Sequence, residues 1–144
     1  MIFNTIFHLR RFTLLLIMEY TRYMWEVEYT DEFGEWWETL DITEQDVVAY
    51  SVRLLKNEGP SLKFPYSSDV KQSRHKNMRE LRSQYAGNPY RTFYAFDPSR
   101  TAILLIGGVK TGNDRFYEEM IPKADKIYDE YLKEIQEEKN DKKL

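Results

Sequence analysis

The sequence contains no cysteine, which excludes disulfides, thiolate nucleophiles and thiolate-built zinc sites. Its two histidines, His8 and His75, are too few for a histidine-built metal centre. The chain is therefore expected to use no metal and no cofactor. A net charge of −3 excludes nucleic-acid binding by bulk charge and leaves only a local basic patch for that purpose. No apolar run approaches the ~18–20 residues that span a bilayer. The short run Phe12–Met18 follows Arg10-Arg11 but precedes no small-residue cleavage site. Residues 1–23 are expected to form an N-terminal extension or to lie upstream of a true start at Met18 or Met24; a further packing helix is the alternative. A cytoplasmic protein without a membrane partner is the expectation.

What the sequence does have is apolar content of 42% and aromatic content of 15% over 144 residues, which suits one globular core. Its charge is uneven. Residues 26–58 hold ten acids against Arg53 and Lys56. Residues 71–91 hold Lys71, Arg74, Lys76, Arg79, Arg82 and Arg91 against Glu80 alone.

Residues 24–30 (MWEVEYT) alternate with period two and predict a half-buried strand. Thr30 and Asp31 are N-cap candidates for a helix over about 31–40, striped by Phe33, Trp36, Trp37 and Leu40. Trp36 and Trp37 read as packing residues. Thr43 is expected to cap a second helix that Gly59-Pro60 ends. Residues 58–77 read as loop. A hairpin follows: residues 78–85, a turn at 86–89, and residues 90–97. TAILLIGG (101–108) is apolar on both faces, as a central strand should be. Met120, Ala124, Ile127, Tyr131 and Ile135 mark a C-terminal helical region that Pro122 splits or restarts. Residues 136–144 form a charged tail expected to fray. The predicted class is α+β: a mainly antiparallel sheet with two N-terminal helices and a C-terminal helix, all on one face.

If Tyr85 faces Tyr90, alternation puts Leu81, Tyr85, Tyr90, Tyr94 and Phe96 on an apolar face, with Arg79 at its edge. Met78, Glu80, Arg82, Gln84, Arg91, Phe93 and Ala95 share the other face. A slip of one residue would exchange the sets. An exposed face of ordinary salt-bridged charges is one reading. RNA cleavage without a metal is another: a base takes the 2′-hydroxyl proton, an acid protonates the leaving 5′-oxygen, and cations stabilise the phosphorane. Arginine suits the last task because its fork binds two phosphate oxygens and stays charged. Glu80 or His75 could take the proton; Tyr117 or His75 could give one. Composition permits this scheme without selecting it.

The segments RHKNMRELR (74–82), YRTFYAF (90–96), ILLIGGVK (103–110) and RFYEEMIPKADKIYDEYL (115–132) together resemble the phage-derived, HigB-like branch of the RelE/ParE toxin superfamily. The likeness runs over residues 24–135, so the toxin-like domain is set at 24–135, between the extension and the tail. The resemblance implies a RelE-like compact fold and an endoribonuclease that cuts mRNA in the ribosomal A site. It also implies silencing by a HigA-like helix-turn-helix antitoxin encoded nearby, in a toxin–antitoxin hetero-oligomer. Carried over by motif, the strand arginine falls on Arg91, the cation after the last strand on Lys110, the following tyrosine on Tyr117, and the basic position of the preceding strand on Arg82. Some RelE toxins carry lysines where this strand has Met78 and Glu80, and Thr111 stands where they often have a second cation. Those departures leave the base unassigned.

The candidate catalytic set is thus Arg91, Arg82, Glu80, His75, Tyr117 and Lys110. Lys71, Arg74, Lys76 and Arg79 are expected to attract RNA phosphates. Each has a plainer reading: His75 as an exposed side chain, Tyr117 as packing, Glu80 as an ion-pair partner of Arg82 or Arg91. Two other functions stay open on the same fold, a ParE-like gyrase-inhibiting toxin without nuclease activity and a non-catalytic binding module. The antitoxin is expected to cover the Arg82/Arg91 surface with acidic or apolar residues.

Overall fold

A computed structural model describes residues 24–143; the expectation for residues 1–23 lies outside the described residues. The chain runs β1 (Val27–Tyr29), α1 (Asp31–Glu38), α2 (Ile42–Glu58), a 3-10 turn (Gly59–Ser61), β2 (Ser67–Asp69), β3 (Arg79–Tyr85), β4 (Asn88–Phe96), β5 (Ala102–Val109) and α3 (Phe116–Asp141). One sheet has the order β1-β5-β4-β3-β2. Only β1–β5 is parallel; the other neighbours pair antiparallel. The α+β class is therefore as expected, and β2 is an addition. Among the described residues no helix is long and apolar enough to cross a membrane.

Local chemistry sets the boundaries. Thr30 caps α1, its hydroxyl accepting from the Phe33 N–H. Asp41, not Thr43, caps α2: its carboxylate accepts from the Glu44 N–H at 2.8 Å while Glu44 accepts from the Asp41 N–H at 3.0 Å. This reciprocal box satisfies two orphan donors, which a lone Thr43 hydroxyl could not do. Pro122 does not split the last helix, which runs unbroken to Asp141 and so includes most of the tail expected to fray. Proline there removes one backbone donor, toward the carbonyl of Glu118 in the first turn, and the packed residues beyond it carry the helix on.

The expectation of helices on one face is wrong. Phe33 of α1, Leu40 of the connection after it, and Val48 and Leu55 of α2 pack on Leu81, Tyr90, Tyr94 and Leu104. Phe116, Ile121, Ala124 and Ile127 of α3 pack on Met78, Phe93, Ala95, Ile103 and Leu105. The sheet presents an apolar stripe on each side, and each must be covered. A β-bulge at Phe93/Tyr94 opposes Leu105 to no partner residue and keeps both sets facing inward. At Gly107-Gly108 the absence of side chains admits Trp36 from one side and Phe116 from the other; a Cβ would lie 2.1 Å and 2.9 Å from those rings.

Candidate functional site

The hairpin register decides which side chains meet. Ala86 and Gly87 both have positive φ, 51° and 79°, and form the whole turn between Tyr85 and its partner Asn88. Two left-handed residues match the twist of the flanking strands. The pairs are therefore Arg82↔Arg91 and Glu80↔Phe93, not the 82/93 and 80/95 expected from a four-residue turn. The correction is a shift of two residues, so the faces are unchanged.

The Arg82 N–H bonds outward, to the Tyr66 carbonyl at 2.9 Å. Arg82 and Arg91 thus form a non-hydrogen-bonded pair, the kind in which side chains stand closest. Like charges placed directly opposite are unfavourable. Glu80 offsets them. Its Oε1 accepts from Arg82 at 3.1 Å, from the Tyr117 hydroxyl at 3.1 Å and from the Ser68 hydroxyl at 3.0 Å, with the Arg91 Nε at 3.8 Å. Glu80 Oε2 and Arg91 Nε are both buried without a hydrogen-bond partner. Arg91 also donates from Nη1 to the Tyr90 carbonyl at 3.1 Å. Glu80 is 4% and Arg91 6% exposed, because α3 begins above them. Arg82, with a quarter of its side chain exposed, opens onto solvent and lies over the Phe64 ring at 5.2 Å. The face expected to be open sheet is therefore a partly roofed cluster.

Tyr117 enters the cluster from the first turn of α3, edge-on to Phe93. Burial pushes its phenol above the usual tyrosine value; the neighbouring Arg91 guanidinium opposes this and the Glu80 carboxylate adds to it. It holds its proton at neutral pH. The Lys110 ammonium sits 5.0 Å over the Tyr117 ring. Arg82, Arg91, Glu80, Tyr117 and Lys110 are thus brought together: three cations around one carboxylate and one proton-bearing phenol. Such a group can grip a phosphodiester and exchange protons with it.

The structure takes His75 elsewhere. Its Nε2 lies 2.7 Å from an Asp129 carboxylate oxygen and its ring stands edge-on to Tyr128. Asp129 is twelve positions beyond Tyr117 on α3, about 18 Å along the axis. Arg74 pairs with the same Asp129, whose carboxyl is held below its usual value: burial opposes ionisation, but hydrogen bonds from His75 and Arg74 outweigh it. Arg79 points to the opposite face, where it donates to Ser67, Tyr94, Asp69 and the Leu62 carbonyl. Lys71 and Lys76 are exposed on the loop before β3. Among the described residues no three His, Asp or Glu side chains are grouped to hold a metal ion. The sequence reading did not single out Ser68, on the unforeseen β2, or Phe64, in the loop before it.

Residues 35–129 match the family described as "Phage derived protein Gp49-like (DUF891)". The chain belongs to this Gp49-like family. The matched stretch contains every candidate residue from Lys71 to Tyr117. This Gp49-like chain is 37% identical over 111 residues to "Putative toxin HigB2" of Mycobacterium tuberculosis, covering 76% of the chain and 55% of the relative. It is 42% identical over 98 residues to "Putative toxin HigB3" of the same organism, covering 67% of the chain and 84% of the relative. The chain therefore spans little more than half the length of the first of these. Among solved structures it is similar to the archaeal RelE–RelB complex from Pyrococcus horikoshii OT3, with a TM-score of 0.46 at 10% identity over 61% of this chain and 97% of that one. The resemblance to the phage-derived, HigB-like branch is borne out by the family match and by both Mycobacterium relatives.

Proposed function

We propose that this protein is the toxin of a type II toxin–antitoxin pair and acts as a metal-independent, ribosome-associated endoribonuclease on mRNA. The observation that carries the reading is the close Arg82/Arg91 pair, held on one face around Glu80, with hydrogen-bonding capacity left over on Glu80 Oε2 and Arg91 Nε. The naming of both relatives as toxins supports the same reading. In this scheme Arg82 and Arg91 bind the non-bridging oxygens of the scissile phosphate and stabilise the phosphorane. Glu80 takes the 2′-hydroxyl proton on Oε2 as that oxygen attacks phosphorus. The bond to the 5′-oxygen breaks, and Tyr117 protonates the leaving oxygen. The products are a 2′,3′-cyclic phosphate and a 5′-hydroxyl. Lys110 holds the local potential positive. A HigA-like helix-turn-helix antitoxin silences the site in a hetero-oligomer within the cytoplasm.

Brief induction in a host without the antitoxin, followed by primer extension on a reporter transcript, tests this. The wild type should arrest growth and generate new 5′ ends in translated mRNA, and Arg91→Ala should do neither. Arrest with intact mRNA on translating ribosomes would overturn it. A second reading has one observation in its favour: Glu80 and Arg91 are nearly sealed from solvent, as a purely structural ion pair would be. A ParE-like toxin with this fold would then give DNA breaks and an SOS response instead of cut transcripts.

A further inference from the structure

A cleft of about 590 Å³ opens beside the arginine pair, between α2, the loop before β2 and the edge of β3. Strand β2 pairs with Arg79, Glu80 and Leu81 of β3, the Arg82 N–H bonds the Tyr66 carbonyl, and Ser83 and Gln84 beyond it line this cleft. Arg82 and Arg91 stand at one end, and Asp46 of α2 lines it as well. Tyr66 forms part of its wall, and Phe64 adjoins it through the contact with Arg82.

Two features set this cleft apart from ordinary surface. First, the two rings carried by the loop beside the arginine pair are largely exposed. Phe64 is 72% and Tyr66 47% exposed, whereas Phe93, Tyr94 and Phe116 are buried. Second, the loop that displays them is held firmly. Leu62 is buried and its carbonyl accepts from Arg79; the Tyr66 N–H donates to the Lys63 carbonyl at 3.0 Å and the Tyr66 carbonyl accepts from Arg82. The backbone that carries the rings is therefore held in place, which lowers the ordering cost left for a ligand to meet. Charge then orients that ligand. A phosphate is drawn to the two guanidinium groups and repelled from Asp46, while the apolar rings and polar acceptors suit a flat heterocycle with N–H donors at its edge.

We infer that Phe64 and Tyr66 form a stacking platform for the nucleobase adjoining the scissile phosphate, with the cleft as a subsite for single-stranded RNA. This rests on the ribonuclease reading above and adds to it how the substrate strand is positioned. Stacking on aromatic rings is the common means by which proteins hold unpaired bases, and it tolerates any sequence because every base has a π-face.

The test uses the full chain and ribosomes programmed with mRNA that carries 2′-deoxyriboses in the A-site codon, which blocks cleavage. Each codon position is either base-bearing or abasic. The wild type should lose roughly tenfold in affinity when the stacked base is deleted. The Phe64→Ala/Tyr66→Ala variant should lose a similar factor on the base-bearing codon and nothing further on the abasic one, since base and rings then belong to one interaction. Phe64→Tyr, which keeps both rings, should bind the base-bearing codon nearly as the wild type does. Because Phe64 is largely exposed, an unchanged thermal midpoint is expected and would show that the double variant folds. Independent losses for base and ring deletion, or a double variant that binds like the wild type, would overturn the platform while leaving the arginine site standing. So would a double variant whose only defect is weakened antitoxin binding, which would make the rings a protein-docking surface. If the wild type neither binds these ribosomes nor cuts the all-ribose message, the ribonuclease reading itself falls.

Discussion

The two faces of the sheet treat arginine in opposite ways. On the face packed by α1 and α2, Arg79 spends its guanidinium on Ser67, Tyr94, Asp69 and the Leu62 carbonyl. It ties β2, β4 and the preceding loop to β3, with each of its three guanidinium nitrogens engaged. On the face packed by α3, Arg91 is more deeply buried yet leaves Nε without a hydrogen-bond partner, beside a carboxylate oxygen that also lacks one. Buried polar atoms left unpaired cost free energy, so natural folds seldom keep them without a use. The contrast separates an arginine that holds the fold from one held in reserve by it.

Substituting each by methionine, which keeps length and apolar volume, should invert the two effects. Arg91→Met should lower single-turnover mRNA cleavage about a thousandfold, as removal of a preorganised charge at a phosphorane does. It should cost only about 1 kcal/mol of stability, because Glu80 keeps Ser68, Arg82 and Tyr117 as partners. Glu80→Gln keeps the shape and loses the charge. If Oε2 takes the substrate proton, cleavage should fall about a hundredfold, measured beside an unchanged fold by circular dichroism; cleavage within a few-fold of the wild type would reduce Glu80 to a positioning residue. Arg79→Met should do the reverse of Arg91→Met. Urea unfolding should show a loss of about 2 kcal/mol from the abandoned acceptors, with cleavage per folded molecule unchanged. If Arg79→Met instead weakened RNA binding at constant stability, the division between the faces would fail.

The face that carries the cluster was legible because a strand's side chains alternate with period two whatever the register. Even a two-residue error in pairing left Glu80, Arg82 and Arg91 together. The register itself was hidden in Ala86, whose left-handed conformation nothing in its side chain announces; Gly87-Asn88-Pro89 looked like turn material, yet Asn88 and Pro89 already belong to β4. Strand β2 was unreadable because Ser-Ser-Asp has no apolar alternation and forms only as a partner of β3. His75 was misjudged for a related reason. Its surroundings are Asp129 and Tyr128, more than fifty residues away, and the placement of α3 over this face follows from a second apolar stripe that was read as reactive surface. The resemblance named Arg91, Lys110 and Tyr117, which the middle of β4, the residue after β5 and the start of α3 bring together, and was silent on the loop bearing Phe64.

The smallest expected difference between the faces lies in their tyrosines. Tyr90, on the α2 side, donates to Glu44 at 2.6 Å. That bond to a carboxylate, with burial and the Glu44 charge, raises its phenol to about 12. A raised value means that the folded state favours the protonated phenol. Its contribution to stability is therefore complete below the ordinary tyrosine range near ~10 and is lost as pH rises from there toward about 12. Tyr90→Phe should cost about 1 kcal/mol at neutral pH and remove that part of the alkaline decline. Tyr117, Tyr128 and Tyr131 are also raised, so the quantity to measure is the difference in urea midpoint between wild type and Tyr90→Phe. That difference should shrink between pH 9 and pH 11, both well-separated settings chosen around the ordinary value of ~10. Tyr117→Phe should show no such neutral-pH bond loss of equal size, because Glu80 retains two other donors, and its effect should appear in cleavage. A Tyr90 difference that stays constant with pH would mean that the phenol ionises alike in folded and unfolded chains.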